Sequence, residues 1–442
     1  MKNLKNNTPP SINHPKLSQK GKEKALLYHS HPLPGKLETT STKPLNTQKD
    51  LALAYSPGVA EACCEINHDP YAASLYTGKQ NLVAVMTNGT AVLGLGDIGA
   101  LASKPVMEGK AVLFKKFADL NAFDLEIDET DPDQFVRIAA SLAPTFGGIN
   151  LEDIKAPECF DIEEKLSQKL SIPVFHDDQH GTAIVVVAAL LNGLELNHKP
   201  MHTIKLVVNG AGAAALACLK LLESYGLTKD QVWLFDSQGL VHKNRPDLSA
   251  QKQPYAQKGP CASLYEAMNG ADAFLGLSKG GVLNCDMITP MAKAPLLFTL
   301  ANPTPEIMPD AALEVRPDAI TATGRSDFPN QINNLLCFPF IFRGALDVEA
   351  RLINLEMKKA AVKAIASLAK TPPLPLLKEI YPHDTHAFGP HHILPKPFDP
   401  RLITHIAPAV AKAAMDTGVA RHTIDDWEHY KQRLKERLKL TF

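Results

Sequence analysis

Residues 204–215 read IKLVVNGAGAAA, and this stretch decides the fold. A short run rich in Ile, Leu and Val stops at Gly210-Ala211-Gly212-Ala213-Ala214-Ala215, which matches G-x-G-x-x-G/A. The first glycine permits a tight turn from strand to helix. The second lets backbone approach a pyrophosphate, and the small last residue lets helix and strand pack closely. The helix N-terminus offers free N–H groups and partial positive charge to phosphates. A Gly/Ala turn alone is a weak signal, but here a strand precedes it and a helix follows. An acidic residue, Asp236, closes the strand VWLFD 21 positions after Ala215. An aspartate there ordinarily accepts from a ribose 2′-OH and repels a 2′-phosphate, which favours NAD. His242, Lys243 and Arg245 follow closely and offer charge for NADP, so the residues leave the coenzyme open.

Outward from this turn, QVWLFD (231–236), DAFLGL (272–277), LFTLAN (297–302) and AITATG (319–324) read as further strands. Helix-compatible segments separate them, which argues for a parallel sheet covered by helices on both faces. Upstream, residues 181–200 read as an apolar helix and 123–128 as a strand. NLVAVMTNGTAVLG (81–94) reads as a hairpin split at Asn88-Gly89. A glycine-rich turn occupies 94–100, and a helix begins near Pro105. Residues 1–45 read as an irregular arm, 343–368 as one long amphipathic helix, and the last 40 residues as helical.

The 442 residues predict two or three domains. With 45% apolar and 21% charged residues the chain supports a sizeable core and is not globally disordered. Lys+Arg of 46 against Asp+Glu of 47 gives no electrostatic reason to expect nucleic acid or an anionic membrane. Seven cysteines without a C-x-x-C fit a reducing compartment. No signal peptide is legible, and the longest apolar run, Ala183 to Leu191, is nine residues, so the expectation is a soluble, cytoplasmic protein.

Two acid pairs precede the nucleotide turn: Glu152-Asp153 in GGINLEDIKAPECF and Asp177-Asp178 in VFHDDQHGTA. Carboxylates from two turns suit a hard cation such as Mg²⁺ or Mn²⁺, although pairs of solvated acidic turns look the same. His176 and His180 flank the second pair and read as hydrogen-bonding turn residues ahead of zinc ligands. Lys110 lies among small residues, whereas Lys115 and Lys116 read as a solvated face. A lysine perturbed by burial or a nearby cation can act as a base, against the default of a surface lysine. Tyr55, in LALAYSPGVA, is a core aromatic or a proton donor.

Several long stretches together closely resemble the bacterial malic enzymes. They include DLALAYSPGVA (50–60), NGTAVLGLGDIGALASKPVMEGKAVLFKKFA (88–118) and PTFGGINLEDIKAPECF (144–160). Further matches are PVFHDDQHGTA (173–183), VVNGAGAAA (207–215), ANPTPEI (301–307), TGRSDFPNQINNLLCFPFIFRGALDV (323–348) and LPKPFDPRL (394–402). The resemblance implies an α/β fold with a Rossmann-type doubly wound parallel sheet, an α/β N-terminal substrate and metal domain, and C-terminal helices packing back on it. The expected domains are 1–180, 181–344 and 345–442. It implies Tyr55 as proton donor and Lys110 as general base, with Glu152, Asp153 and Asp178 ligating Mg²⁺ or Mn²⁺ and Asp177 supporting them. Asn302 and Asn334 would hold substrate, with Asn302 beside the nicotinamide. Gly210, Ala211, Gly212, Ala213, Ala214 and Asp236 would contact NAD or NADP. Gln238 stands where NADP-preferring relatives often carry lysine, which speaks against NADP. The implied activity is oxidative decarboxylation of malate in a homodimer or higher homo-oligomer. A C-terminal acetyltransferase-like domain, present in some relatives, is not expected at this length. Malolactic enzyme and a non-catalytic nucleotide sensor are the alternatives. The active site is expected between the domains, at the carboxyl ends of parallel strands.

Overall fold

Two parallel sheets organise the computed structural model, which describes residues 18–92, 94–259 and 262–442. The first holds β1 (Leu82–Thr87), β2 (Asn121–Glu126), β3 (Gly148–Leu151) and β4 (Val174–His176) in the order β2-β1-β3-β4. The second holds β5 (Leu206–Asn209), β6 (Val232–Asp236), β7 (Gly239–Leu240), β8 (Ala273–Gly276), β9 (Leu296–Thr299) and β10 (Ile320–Thr323). Its order, β10-β9-β8-β5-β6-β7, is that of a dinucleotide-binding sheet. Only β7 departs from parallel: it folds back on β6 as a hairpin, with Asp236 opposite Gly239.

Strand alternation divides the core. Val83 and Val85 of β1, and Leu206 and Val208 of β5, join one large apolar cluster. Their neighbours Ala84 and Met86 face a second cluster under helices Pro132–Leu142 and Glu158–Lys169. Val207 faces a third. The large cluster runs without a break from sheet to sheet because helix Asp177–Leu196 belongs to it from Ala183 to Leu194. Among the described residues this is the one helix long and apolar enough to cross a membrane, yet 72% of its apolar stretch is buried inside the protein, as in a core helix. Helices Phe338–Asp347, Leu355–Leu368 and Leu402–Asp416 pack back on the same cluster.

All five strands expected in the second half form, each within two residues of its expected start. Three expectations fail. Asn88-Gly89 makes no hairpin: β1 is an interior strand, and Gly89 (φ +69°) serves a close crossing, since a Cβ there would meet the Gly99 carbonyl oxygen at 2.2 Å. Helix 343–368 is two helices, broken between Asp347 and Leu355. Arg343 and the Tyr430 hydroxyl hold Asp347, Glu349 takes φ +48°, and Asn354 caps the second helix by accepting from the Met357 N–H. The arm is not irregular throughout, because Gln19–Ser30 is a helix; residues 1–17 lie outside the described residues. That helix and its successors Gln48–Ala54 and Val59–His68 bury no residue, leaving Leu26, Leu53 and the following Tyr55 exposed.

Candidate active site

Strands β3 and β4 run side by side with Leu151 opposite His176, so the residues that follow them emerge together at the carboxyl ends. Those residues are Glu152-Asp153 and Asp177-Asp178. One carboxylate oxygen each from Glu152, Asp153 and Asp178 lies within 4.8 Å of the others. Asp178 accepts from the Asp153 backbone N–H at 2.7 Å, and Glu152 accepts from Asn150 Nδ2 at 2.8 Å. Asp177 lies beneath, fully buried, and accepts from Asn334 Nδ2 and from Lys110. Gly181, one turn along the helix, makes room for it: a Cβ there would collide with Asp177 Oδ1.

Lys110 projects from helix Ala100–Ala118 into this cluster and is only 7% exposed, while Lys115 and Lys116 face solvent. Its Nζ contacts Asp177, stands 2.8 Å from Glu152 and lies 4.0 Å from the Phe338 ring centroid. Burial pushes the Glu152, Asp177 and Asp178 carboxyls above their usual range, with Lys110 pulling the other way. Burial also works against the Lys110 charge, but Asp177, Glu152 and Asp178 outweigh it and hold the ammonium protonated. Among the described residues, Lys110 is the cation facing Glu152, Asp177 and Asp178. Converging carboxylate oxygens from Glu152, Asp153 and the half-buried Asp178 are the donor set a hard divalent ion takes. Neither histidine joins these oxygens: His180 Nε2 bonds Glu163 at 2.9 Å, and His176 is fully buried with its Nδ1 3.8 Å from Asp178.

A cleft of about 590 Å³ joins this cluster to the second sheet. Lys110, Glu152, Asp153 and Asp178 line one wall; Ala214, Leu277, Asn302 and Asn334 line the other. Gly210 takes φ +113°, and a Cβ on it would meet the Leu277 carbonyl oxygen at 2.4 Å, so the turn is closed tightly against the β8 end. Gly212 precedes helix Ala213–Glu223, and a Cβ on it would meet nothing within 4 Å. Packing does not require that glycine; the space it opens, between Ala211 and Ala213, is available to a ligand. Asn302 follows β9, beside Gly324.

Two placements differ from the sequence reading. Tyr55 does not line the cleft and is 73% exposed, just past helix Gln48–Ala54. Asp236 is saturated. Its oxygens accept from Arg245 Nη1 (2.8 Å) and Nη2 (3.1 Å), Lys252 Nζ (2.8 Å) and the Gln238 backbone N–H (2.9 Å). Burial resists, but these donors hold the carboxyl down to about 2.

Glu306 was not singled out from the sequence. It is fully buried and accepts from the Ala301 N–H at 3.1 Å and the Ser278 N–H at 3.3 Å. One carboxylate thus ties the loop after β8 to the loop carrying Asn302. An acid inside the Pro-rich run ANPTPEI, flanked by apolar residues, was the available signal.

Residues 34–132 and 126–167 match the family described as malic enzyme, N-terminal domain, and 179–385 match malic enzyme, NAD binding domain. The chain is 58% identical over 417 residues to the NADP-dependent malic enzyme of Salmonella typhimurium, covering 94% of this chain and 55% of that protein. It is 58% identical over 413 residues to the NAD-dependent malic enzyme of Rhizobium meliloti, covering 93% and 54%. The chain thus spans about half the length of these two relatives. The crystal structure of malic enzyme from Pyrococcus horikoshii superposes with a TM-score of 0.84 at 42% identity, covering 95% of this chain and 96% of that one. Both domain families in tandem, a relative matched along nearly its whole length, and the acidic cleft place the chain in the malic enzyme family.

Proposed function

We propose that the protein oxidatively decarboxylates (S)-malate to pyruvate and CO₂ while reducing NADP⁺ or NAD⁺. The observation that carries this is the shared cleft: an acid cluster with a buried lysine on one wall and a dinucleotide turn on the other. On this reading 1–180 serve substrate and metal, 181–344 the nucleotide, and 345–442 support them. When bound, the nicotinamide supplies the hydride acceptor. A divalent cation among Glu152, Asp153 and Asp178 would polarise the C2 oxygen and cancel the field that keeps Lys110 protonated.

The chain's own groups do the positioning and proton transfer. Asn334 and Asn302 hold the substrate with C2 toward the nicotinamide side, and Asp177 fixes Asn334 and Lys110. Lys110 takes the C2 hydroxyl proton as C2 is oxidised. Loss of CO₂ from C4 leaves an enolate, and a tyrosine hydroxyl protonates C3. We assign that role to Tyr55. Its exposure, and the unburied apolar arm around it, fit a homodimer or higher oligomer in which the partner's Tyr55 enters the cleft. The saturated Asp236 has no acceptor free for a ribose hydroxyl, and its cations favour admission of NADP.

Steady-state turnover of malate with NADP⁺ and NAD⁺ side by side, with and without Mn²⁺, tests the reading. Pyruvate with reduced cofactor only when Mn²⁺ is present is expected. Lactate without net cofactor reduction would instead identify a malolactic enzyme, and no turnover a nucleotide sensor.

A further inference from the structure

On the first turns of helix Asp177–Leu196, Asp178 and Thr182 face the catalytic cleft. Gln179 and His180 face the other way, as helical spacing requires, into a second cavity of about 670 Å³. It opens where helices Glu158–Lys169, Ala213–Glu223 and Leu355–Leu368 meet, at the junction of the two sheet units. Its volume is in the range of small-molecule sites, which favour such junctions.

The hydrogen-bond inventory of its walls is lopsided. The acceptors are already engaged. Glu163 takes His180 Nε2 and the His176 N–H; Glu223 takes the Tyr255 hydroxyl at 2.6 Å; Glu164 takes Gln168 Nε2 at 3.2 Å. The donors are not. Among the described residues neither Lys220 nor Lys358 has a hydrogen bond or ion pair, and Lys358 has only the Phe175 ring, 5.9 Å from its Nζ. Gln179, 3% exposed, leaves its Nε2 unbonded. A buried donor without a partner is costly, as for Gln179; Lys358 is half-buried and Lys220 exposed at the cavity wall. Burial pushes the Lys358 ammonium down to about 8; Glu163 resists, while Lys220 adds like-charge repulsion.

We propose that this cavity binds a small organic anion, through a carboxylate or phosphate group held by Lys220, Lys358 and the Gln179 amide, and that its occupancy alters malate affinity. The anion supplies the acceptors these donors lack and separates the two lysines electrostatically. Gln179 and His180 share a helical turn with Asp177 and Asp178, so a ligand that fixes one face of the turn biases the other. The coupling is reciprocal, as binding linkage demands. The site itself stands apart from the proposed reaction.

Calorimetric titration with inorganic phosphate and, separately, with tricarballylate tests binding in the wild type and in a Lys220→Gln/Lys358→Gln variant. At least one anion should bind the wild type and bind the variant at least tenfold more weakly; which one identifies the phosphate or carboxylate source. Equal affinities, or no binding of either, overturn the proposal. Wild-type crystals soaked in tungstate give a test independent of the variant's folding. Anomalous density between Lys220 and Lys358 is expected, and density confined to the Gly210 turn, or none, overturns it. The bound anion should also shift the malate KM several-fold in the wild type and not in the variant; a shift of equal size in both removes the regulatory part.

Discussion

The carboxylates at the ends of β3 and β4 and the carboxylate at the end of β6 are treated in opposite ways. In the first place, among the described residues, Glu152, Asp177 and Asp178 share one buried cation, Lys110. In the second, Asp236 is met by two cations, Arg245 and Lys252, with Arg245 also bonding the more exposed Asp247. Among the described residues the first sets one lysine against three carboxylates, and the second has its acceptors filled from within. An acid that is underserved by its own protein is prepared for an external cation. One that is fully served instead orients its basic partners, and it is those partners that meet the incoming ligand. A carboxylate at a cofactor turn therefore cannot be read from its position alone; its partners decide what it rejects.

Removing the lysine that bridges Glu152 and Asp177 should have the largest effect. Lys110→Ala is expected to lower kcat by about 10³-fold or more, in the range of a lost general base; turnover within tenfold of wild type would remove Lys110 from the chemistry. Filling the cluster comes next. Mn²⁺ at 100 times its Kd should stabilise the protein by about 2.7 kcal/mol, seen as a rise in the thermal midpoint that Asp178→Asn abolishes. An equal rise in that variant would place the ion elsewhere. At the other end, Arg245→Ala together with Lys252→Ala should shift the NADP-to-NAD ratio of kcat/KM about tenfold toward NAD, or ~1.4 kcal/mol. An unchanged ratio would mean these cations do not read the 2′ position. The smallest effect is a pH dependence. Asp236 is held at about 2 in the folded chain, below its unfolded value near ~3.9. Its contribution is therefore fully present above about pH 4 and lost as pH falls toward 2. It amounts to about 1 kcal/mol, because Arg245 and Lys252 both reach solvent. The stability gap between wild type and Asp236→Asn, measured by denaturant unfolding, should narrow from pH 5 to pH 3.

The nucleotide half was legible because its strands are short apolar runs bounded by turns, and Gly210 announces a backbone that only glycine adopts easily. The acid cluster was half legible. The two pairs could be seen, but not that β3 and β4 are neighbours in register, which is a long-range fact. Lys110 stood out from Lys115 and Lys116 by its small neighbours, whereas its partners lie more than 40 residues away. The hairpin at Asn88-Gly89 was misread because a positive-φ glycine serves a tight crossing as readily as a turn. The break after Asp347 was invisible because the apolar spacing carries on through it; a buried Arg343–Asp347–Tyr430 network, drawing on a residue near the C-terminus, ends the helix.

The unbroken apolar cluster that runs through helix Asp177–Leu196 makes that helix a keel common to both halves. Its first turn carries Asp177 and Asp178, and its remaining turns are anchored in side chains from either sheet. Neither half can shed the keel without uncovering the other's interior, so the chain should melt in one step rather than half by half. Small swings that open and shut the mouth of the pocket are then expected in the loops at its rim and in the helix's first turn, ahead of the stretch anchored from Ala183 onward.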